Sequence, residues 1–211
     1  MKTAGMMHPM RLQPLIVPGW RNSGPEHWQS AWEACLPRAS RVVQADWETP
    51  RLADWVAELS AAIEASNRPP LLIAHSLGCM TVAHLPLGIR DKVAGALLVA
   101  PADVERPGAP DTLHSFRPVP LHTLPYPSVV VASTNDPYCS LDRARRFADA
   151  WGSRLEVLED AGHINVASGY GNWPQGLKLL AALRRRARWR VPVAVCRTPP
   201  LAGHVPPLGS H

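Results

Sequence analysis

The stretch Leu71-Leu72-Ile73-Ala74-His75-Ser76-Leu77-Gly78 decides the fold. Its four leading apolar residues predict a strand buried on both faces, because a strand with one wet face would alternate apolar and polar positions. Ala74 and Gly78 stand two residues either side of Ser76, where small side chains let the chain turn sharply from strand into helix. A serine at such a turn projects its hydroxyl beyond the carboxyl edge of a sheet. The helix that follows aims its free N–H groups and dipole at the same point. The plainer alternative is that Ser76 only caps that helix.

Working outward, Ala96–Ala100 (ALLVA) and Ser128–Ala132 (SVVVA) are further continuous apolar runs. Pro14–Pro18 (PLIVP) and Val42–Ala45 (VVQA) are shorter ones, and Leu155–Leu158 (LEVL) alternates as an edge strand does. Helical spacing lies between them. From Pro25, Trp28, Trp32 and Cys35/Leu36 share a face, and Leu52–Ala65 repeats the pattern with Trp55, Val56, Leu59 and Ile63. Leu77–Leu87, Leu141–Trp151 and Trp173–Leu183 complete the set. Strands alternating with helices imply βαβ units with right-handed crossovers. The expected fold is α/β: a three-layer α/β/α sandwich on a mainly parallel sheet of about six strands, without a full lid domain. The 26 residues Ala102–Pro127 hold six prolines and read as a loop beside the strand ends. Expected boundaries are an N-terminal extension over 1–13, the folded domain over 14–186, and an arginine- and proline-rich disordered tail over 187–211.

A serine hydroxyl needs an adjacent base and a group to orient that base. Nine histidines are available. His163 follows LEVL in Asp160-Ala161-Gly162-His163-Ile164-Asn165, where Gly162 permits a tight turn. Asp136 follows SVVVA in Ser133-Thr134-Asn135-Asp136-Pro137-Tyr138, and a carboxylate there could accept the imidazole Nδ1–H. Asn-Asp-Pro is also ordinary turn chemistry, and Asp103, after the previous strand, is the other candidate acid. The order nucleophile, acid, base, each just beyond its own strand, is more specific than any one motif.

Acyl transfer also needs donors for a developing oxyanion. The Leu77 N–H is one candidate. The Trp20 N–H, in Pro18-Gly19-Trp20-Arg21-Asn22-Ser23-Gly24 after the first strand, is the other. Trp20, Arg21 and His75 are candidate substrate contacts, although the His75 side chain should point away from Ser76, into or beside the sheet. His27, Trp28 and Trp32 are expected to pack their helix against the sheet.

Composition narrows the classes of function. The net charge of +5 resides in the tail, since residues 184–211 carry six arginines and no acid. The other 183 residues hold 16 basic and 17 acidic groups, a net of −1. The folded part therefore offers no phosphate-binding footprint, and no nucleic-acid partner is expected for it. Four scattered cysteines without a CxxC pair argue against a zinc site or a disulfide framework. No apolar run reaches the length of a membrane span, and Met1–Gln13 lacks a signal-peptide core, so the expected location is cytoplasmic.

Four segments carry a family resemblance: Pro18-Gly19-Trp20 with Glu26–Trp32 (EHWQSAW), Ala74–Gly78 (AHSLG), Ser133–Tyr138 (STNDPY) and Ala161–Asn165 (AGHIN). Over roughly residues 14–183 the chain resembles the small serine hydrolases related to the YdeN proteins and retinoblastoma-binding protein 9, within the α/β-hydrolase superfamily. The resemblance implies a reduced sheet and a Ser76–Asp136–His163 triad. It also implies activity on small esters or amides with neither metal nor cofactor. The tail departs from the pattern and leaves oligomeric state and partners open. Three readings stand beside an esterase: an amidase or peptidase with the same triad, a binding module that keeps the fold, and an enzyme whose arginine tail contacts nucleic acid or an acidic partner.

Overall fold

The computed structural model describes residues 12–188. Residues 1–11 and 189–211, which carry most of the expected extension and tail, lie outside the described residues. Six strands form one sheet: β1 (Gln13–Val17), β2 (Ser40–Arg41), β3 (Pro70–His75), β4 (Gly95–Val99), β5 (Ser128–Ser133) and β6 (Arg154–Leu158). Their spatial order is β2-β1-β3-β4-β5-β6, and every neighbouring pair is parallel. The helices are α1 (Trp28–Cys35), α2 (Leu52–Glu64), α3 (Leu77–Ala83), α4 (Leu87–Arg90), α5 (Leu141–Trp151) and α6 (Pro174–Arg188).

Strand alternation sorts the core into two layers. From β3, β4 and β5, Leu72, Ala74, Ala96, Leu98, Val130 and Ala132 face Trp55 and Leu59 of α2, Met80 of α3, and Phe147 and Trp151 of α5. Their neighbours Leu71, Ile73, Leu97, Val99, Val129 and Val131 face Trp28 and Trp32 of α1 and Leu180 and Leu183 of α6. The sheet is thus covered on both sides, as the continuous apolar runs require. The edge strand β6 is only partly buried.

Four expected boundaries shift. Val42–Ala45 is not a strand: the paired residues are Ser40 and Arg41, opposite Leu15 and Ile16. Val42 N–H still donates to the Ile16 carbonyl (2.9 Å). Beyond it Val43 is 67% exposed and the chain turns away into Asp46, whose carboxylate accepts the Glu48 and Thr49 N–H groups. The first helix starts at Trp28 rather than Pro25, with His27 as its cap. The helix expected over Leu77–Leu87 ends at Ala83, because Pro86 cannot donate the backbone bond that would continue it, and Pro86 instead precedes α4. The last helix begins at Pro174, a good first helical position, and runs on to Arg188. Within Ala102–Pro127 a 3₁₀ turn forms over Asp111–Phe116.

Cys79 and Cys139 are buried free thiols and Cys35 is exposed. Among the described residues, no helix is long and apolar enough to cross a membrane.

Trp151 stacks on Phe147 at 4.9 Å between ring centroids, and its indole N–H donates to the Pro120 carbonyl at 2.8 Å. It therefore holds the proline-rich segment to α5. Trp151→Ala should cost about 3–5 kcal/mol, enough to lower Tm by roughly 10 °C or more in a chain of this size. Thermal unfolding of the two proteins checks this, and a change of a degree or two would contradict it.

Candidate active site

At the end of β3 the chain turns at Ser76 with φ 54° and ψ −122°, a conformation that side-chain-bearing residues rarely adopt. Its hydroxyl makes no capping bond to α3, so the simple helix-cap alternative fails. Two glycines make the turn sterically possible. A Cβ on Gly78 would run into the Val17 carbonyl oxygen and stand 2.6 Å from that of Pro18. A Cβ on Gly19 would lie 2.8 Å from Ser76 Cβ and 3.0 Å from the His75 carbonyl oxygen. The end of β1 thus presses directly on the elbow.

Ser76 Oγ lies 2.9 Å from His163 Nε2. His163 Nδ1 lies 3.0 and 2.9 Å from Asp136 Oδ1 and Oδ2. A carboxylate can only accept, so Nδ1 carries the proton and the Nε2 lone pair faces the serine hydroxyl. The His163 and Asp136 side chains are 7% and 2% exposed. A carboxylate buried that deeply is costly unless bonded, and Asp136 Oδ1 also accepts the Tyr138 N–H at 2.8 Å. The other candidate acid, Asp103, has no bond to His163 among the described residues; it pairs with Arg143 at 3.3 Å.

Several residues that fix these loops were not singled out from the sequence. Asn135 Oδ1 accepts the Gly162 N–H (2.7 Å) and the Ser133 hydroxyl (2.8 Å), tying the acid loop to the base loop. Ser133 Oγ also accepts the Ala161 N–H (2.9 Å), and Ser168 Oγ accepts the His163 N–H (3.1 Å). Gln29, fully buried in α1, donates to the carbonyls of Val17 (3.3 Å) and Ile73 (2.9 Å) and accepts the Ser23 hydroxyl (2.6 Å). It clamps the carboxyl ends of β1 and β3 together. Tyr138 lies edge-on to His163 at 4.6 Å.

A cavity of about 270 Å³ opens over Ser76 and His163, and all three predicted contacts border it. The Trp20 indole donates to the Glu48 carbonyl (2.9 Å), and the Arg21 guanidinium lies over the Trp20 ring at 4.6 Å while pairing with Glu48. His75 is buried, and its Nε2–H donates to the His163 carbonyl at 2.9 Å. It therefore supports the loop that carries His163. Among the described residues, the backbone N–H groups of Leu77 and Trp20 have no acceptor.

His27, His75 and His163 form a contiguous group, His75 lying 4.9 Å from each of the other two rings. Burial chiefly, then the neighbouring His163 and His27, holds His75 well below the ordinary histidine range. His27 accepts the Gln29 N–H on Nδ1 (3.1 Å), and burial, with Arg41 and His163 nearby, lowers its pKa from 6.5 to about 4. Below pH 6.5 the unfolded chain binds a proton at His27 that the folded chain accepts only near pH 4. Stability is therefore complete above that upper value and falls as the pH drops through this window. The loss from His27 should be about 1 kcal/mol near pH 5.5. In His27→Asn, which can still cap α1, Tm should depend less steeply on pH between about 7 and 5. An unaltered slope would show that His27 is not held neutral.

Comparisons with known proteins bear on family and fold. The serine hydrolase family profile matches residues 14–182. The solved structure of a YdeN-like hydrolase from Pectobacterium atrosepticum shares 36% identity at a TM-score of 0.75, over 84% of this chain and 92% of that one. The ydeN gene product of B. subtilis is 23% identical at a TM-score of 0.66, over 82% of this chain and 98% of that one. Thermogutta terrifontis esterase 2 shares the fold at 17% identity and a TM-score of 0.60, over 82% of each chain. No curated protein matches the chain. On the matched length and the 36% identity, the chain belongs to the serine hydrolase family.

Proposed function

We propose that this serine hydrolase cleaves small carboxylic esters by two-step acyl transfer, with Ser76 as nucleophile, His163 as base and Asp136 as the acid that orients it. The observation that carries the reading is the unbroken chain Ser76 Oγ–His163 Nε2, His163 Nδ1–Asp136, at 2.9 to 3.0 Å on a strained elbow facing a cavity. As the hydroxyl attacks the ester carbonyl, its proton passes to His163, and Asp136 stabilises the imidazolium so formed. The oxyanion rests on the Leu77 and Trp20 N–H groups. His163 then protonates the leaving alkoxide as the carbon–oxygen bond breaks. Water, deprotonated by the same imidazole, attacks the acyl-enzyme and frees Ser76 and the acid.

Labelling with a fluorophosphonate probe, read by intact mass, tests the nucleophile. One adduct is expected on the wild type and none on Ser76→Ala. A well-folded wild type that takes no label would overturn the reading in favour of a binding module. Asp136→Asn should lower kcat on an activated ester by roughly 10⁴-fold, since the orienting carboxylate is lost while the packing stays.

The cavity is small against the usual range for ligand sites, and Ala102–Pro127 supplies one wall of it instead of a separate helical lid. Short acyl chains should therefore be preferred. With 4-nitrophenyl esters, acetate and butanoate should give a higher kcat/KM than decanoate, and faster decanoate would sink the short-chain assignment.

A further inference from the structure

Of the arginines around the cavity, one stands apart from the acids. Arg21 pairs with Glu48 at 3.0 Å, and Asp103 pairs with Arg143 at 3.3 Å. Glu105, the nearest other acid in sequence, is also taken by Arg143, whose guanidinium binds both carboxylates. Arg106 also borders the cavity. Among the described residues it has no carboxylate partner, and only a long bond from Nη1 to the Pro107 carbonyl (3.3 Å) occupies its donors. Burial keeps His27 and His75 neutral, so they add no further positive charge beside it.

The position of Arg106 is also fixed. Its guanidinium carbon lies 5.5 Å from the centre of the Tyr138 ring, a cation–π distance, and that ring lies 4.6 Å edge-on from His163. A planar cation thus lies within about 10 Å of the proposed base, on the cavity wall. A guanidinium offers a rigid fork of donors matched to two carboxylate oxygens.

From this arrangement we infer that Arg106 selects esters that carry a free carboxylate a few bonds from the scissile carbonyl, such as monoesters of short dicarboxylic acids. The inference rests on the proposed Ser76 chemistry and adds a substrate class to it. The carboxylate makes and breaks no bond: the ester carbon–oxygen bond cleaves as above, and the anion only docks on the guanidinium.

The test compares mono-4-nitrophenyl glutarate with its neutral counterpart, 4-nitrophenyl methyl glutarate, on the wild type, Arg106→Gln and Arg106→Lys. The wild type should favour the anionic ester by about threefold to fivefold in kcat/KM, mostly through KM, as expected for one partly exposed charge pair. Arg106→Gln should bring the ratio near one, and Arg106→Lys should restore part of it. A wild-type ratio near one, or an unaltered ratio in Arg106→Gln, overturns the assignment. Fluorophosphonate labelling separates the two layers of the argument. If Ser76 takes no label and neither ester turns over, the hydrolase-site reading fails and this inference falls with it. If Ser76 labels but neither ester turns over, protection decides. Monomethyl glutarate slowing the labelling of wild type but not of Arg106→Gln supports the inference, and equal protection of both overturns it.

Discussion

The site depends on one close contact: the carboxyl end of β1 lies against the turn that follows β3. The elbow places Ser76 in a rarely populated backbone conformation, and such strain persists only where the surroundings over-determine it. Here the surroundings are backbone. Gly78 lies against the Val17 and Pro18 carbonyls, and Gly19 lies against Ser76 Cβ and the His75 carbonyl. Gln29 reaches in from α1 and bonds the Val17 carbonyl of β1 and the Ile73 carbonyl of β3, so the ends of the two strands are held as one unit. The same approach carries Trp20 over the elbow. The two backbone N–H groups without acceptors, those of Leu77 and Trp20, therefore belong to segments locked to each other.

A second consequence concerns the buried histidines. Three imidazoles in contact would repel one another if charged, and desolvation adds to the cost. The fold resolves this by giving His27 a bond that requires a neutral ring and by burying His75. His27 uses its Nδ1 lone pair to cap α1, and His75 uses its Nε2–H to hold the His163 carbonyl. Only His163 faces both a carboxylate and a hydroxyl. The group can thus supply one proton-accepting nitrogen to Ser76 without a second positive charge beside it.

The sequence made some of this legible for physical reasons that differ from element to element. Strands β3, β4 and β5 could be read because burial on both faces leaves an uninterrupted apolar run. Strand β2 could not: only Ser40 and Arg41 pair with β1, while the more apolar Val42–Ala45 lies beyond them. Ser76, Asp136 and His163 could be proposed from their order and their places after strands, and the three do meet in space. Gln29 and Ser23 look like ordinary surface residues of an amphipathic helix and a loop. Their burial depends on strand ends that arrive from distant sequence. Asn135 stands in a quoted motif and Ser168 just beyond another, yet Asn135 bonds an N–H group on a different loop and Ser168 folds its own loop back onto the His163 N–H, which no apolar spacing announces.

The proline-rich segment shows how wall and acid loop become one body. Asp103 N–H donates to the Tyr138 carbonyl at 3.0 Å, so the start of the segment is bonded to the loop that carries Asp136. Arg143, at the start of α5, then gathers Asp103 and Glu105 onto that helix, and Glu105 accepts the Val119 N–H farther along the segment. At its other end Trp151, the last residue of α5, holds Pro120. A stretch with little regular secondary structure is therefore anchored at both ends of a single helix. Because Arg143 holds both nearby acids in this anchoring, Arg106, next in sequence after Glu105, has no carboxylate partner among the described residues. The rigidity of the wall and the absence of a carboxylate on that guanidinium come from the same set of bonds.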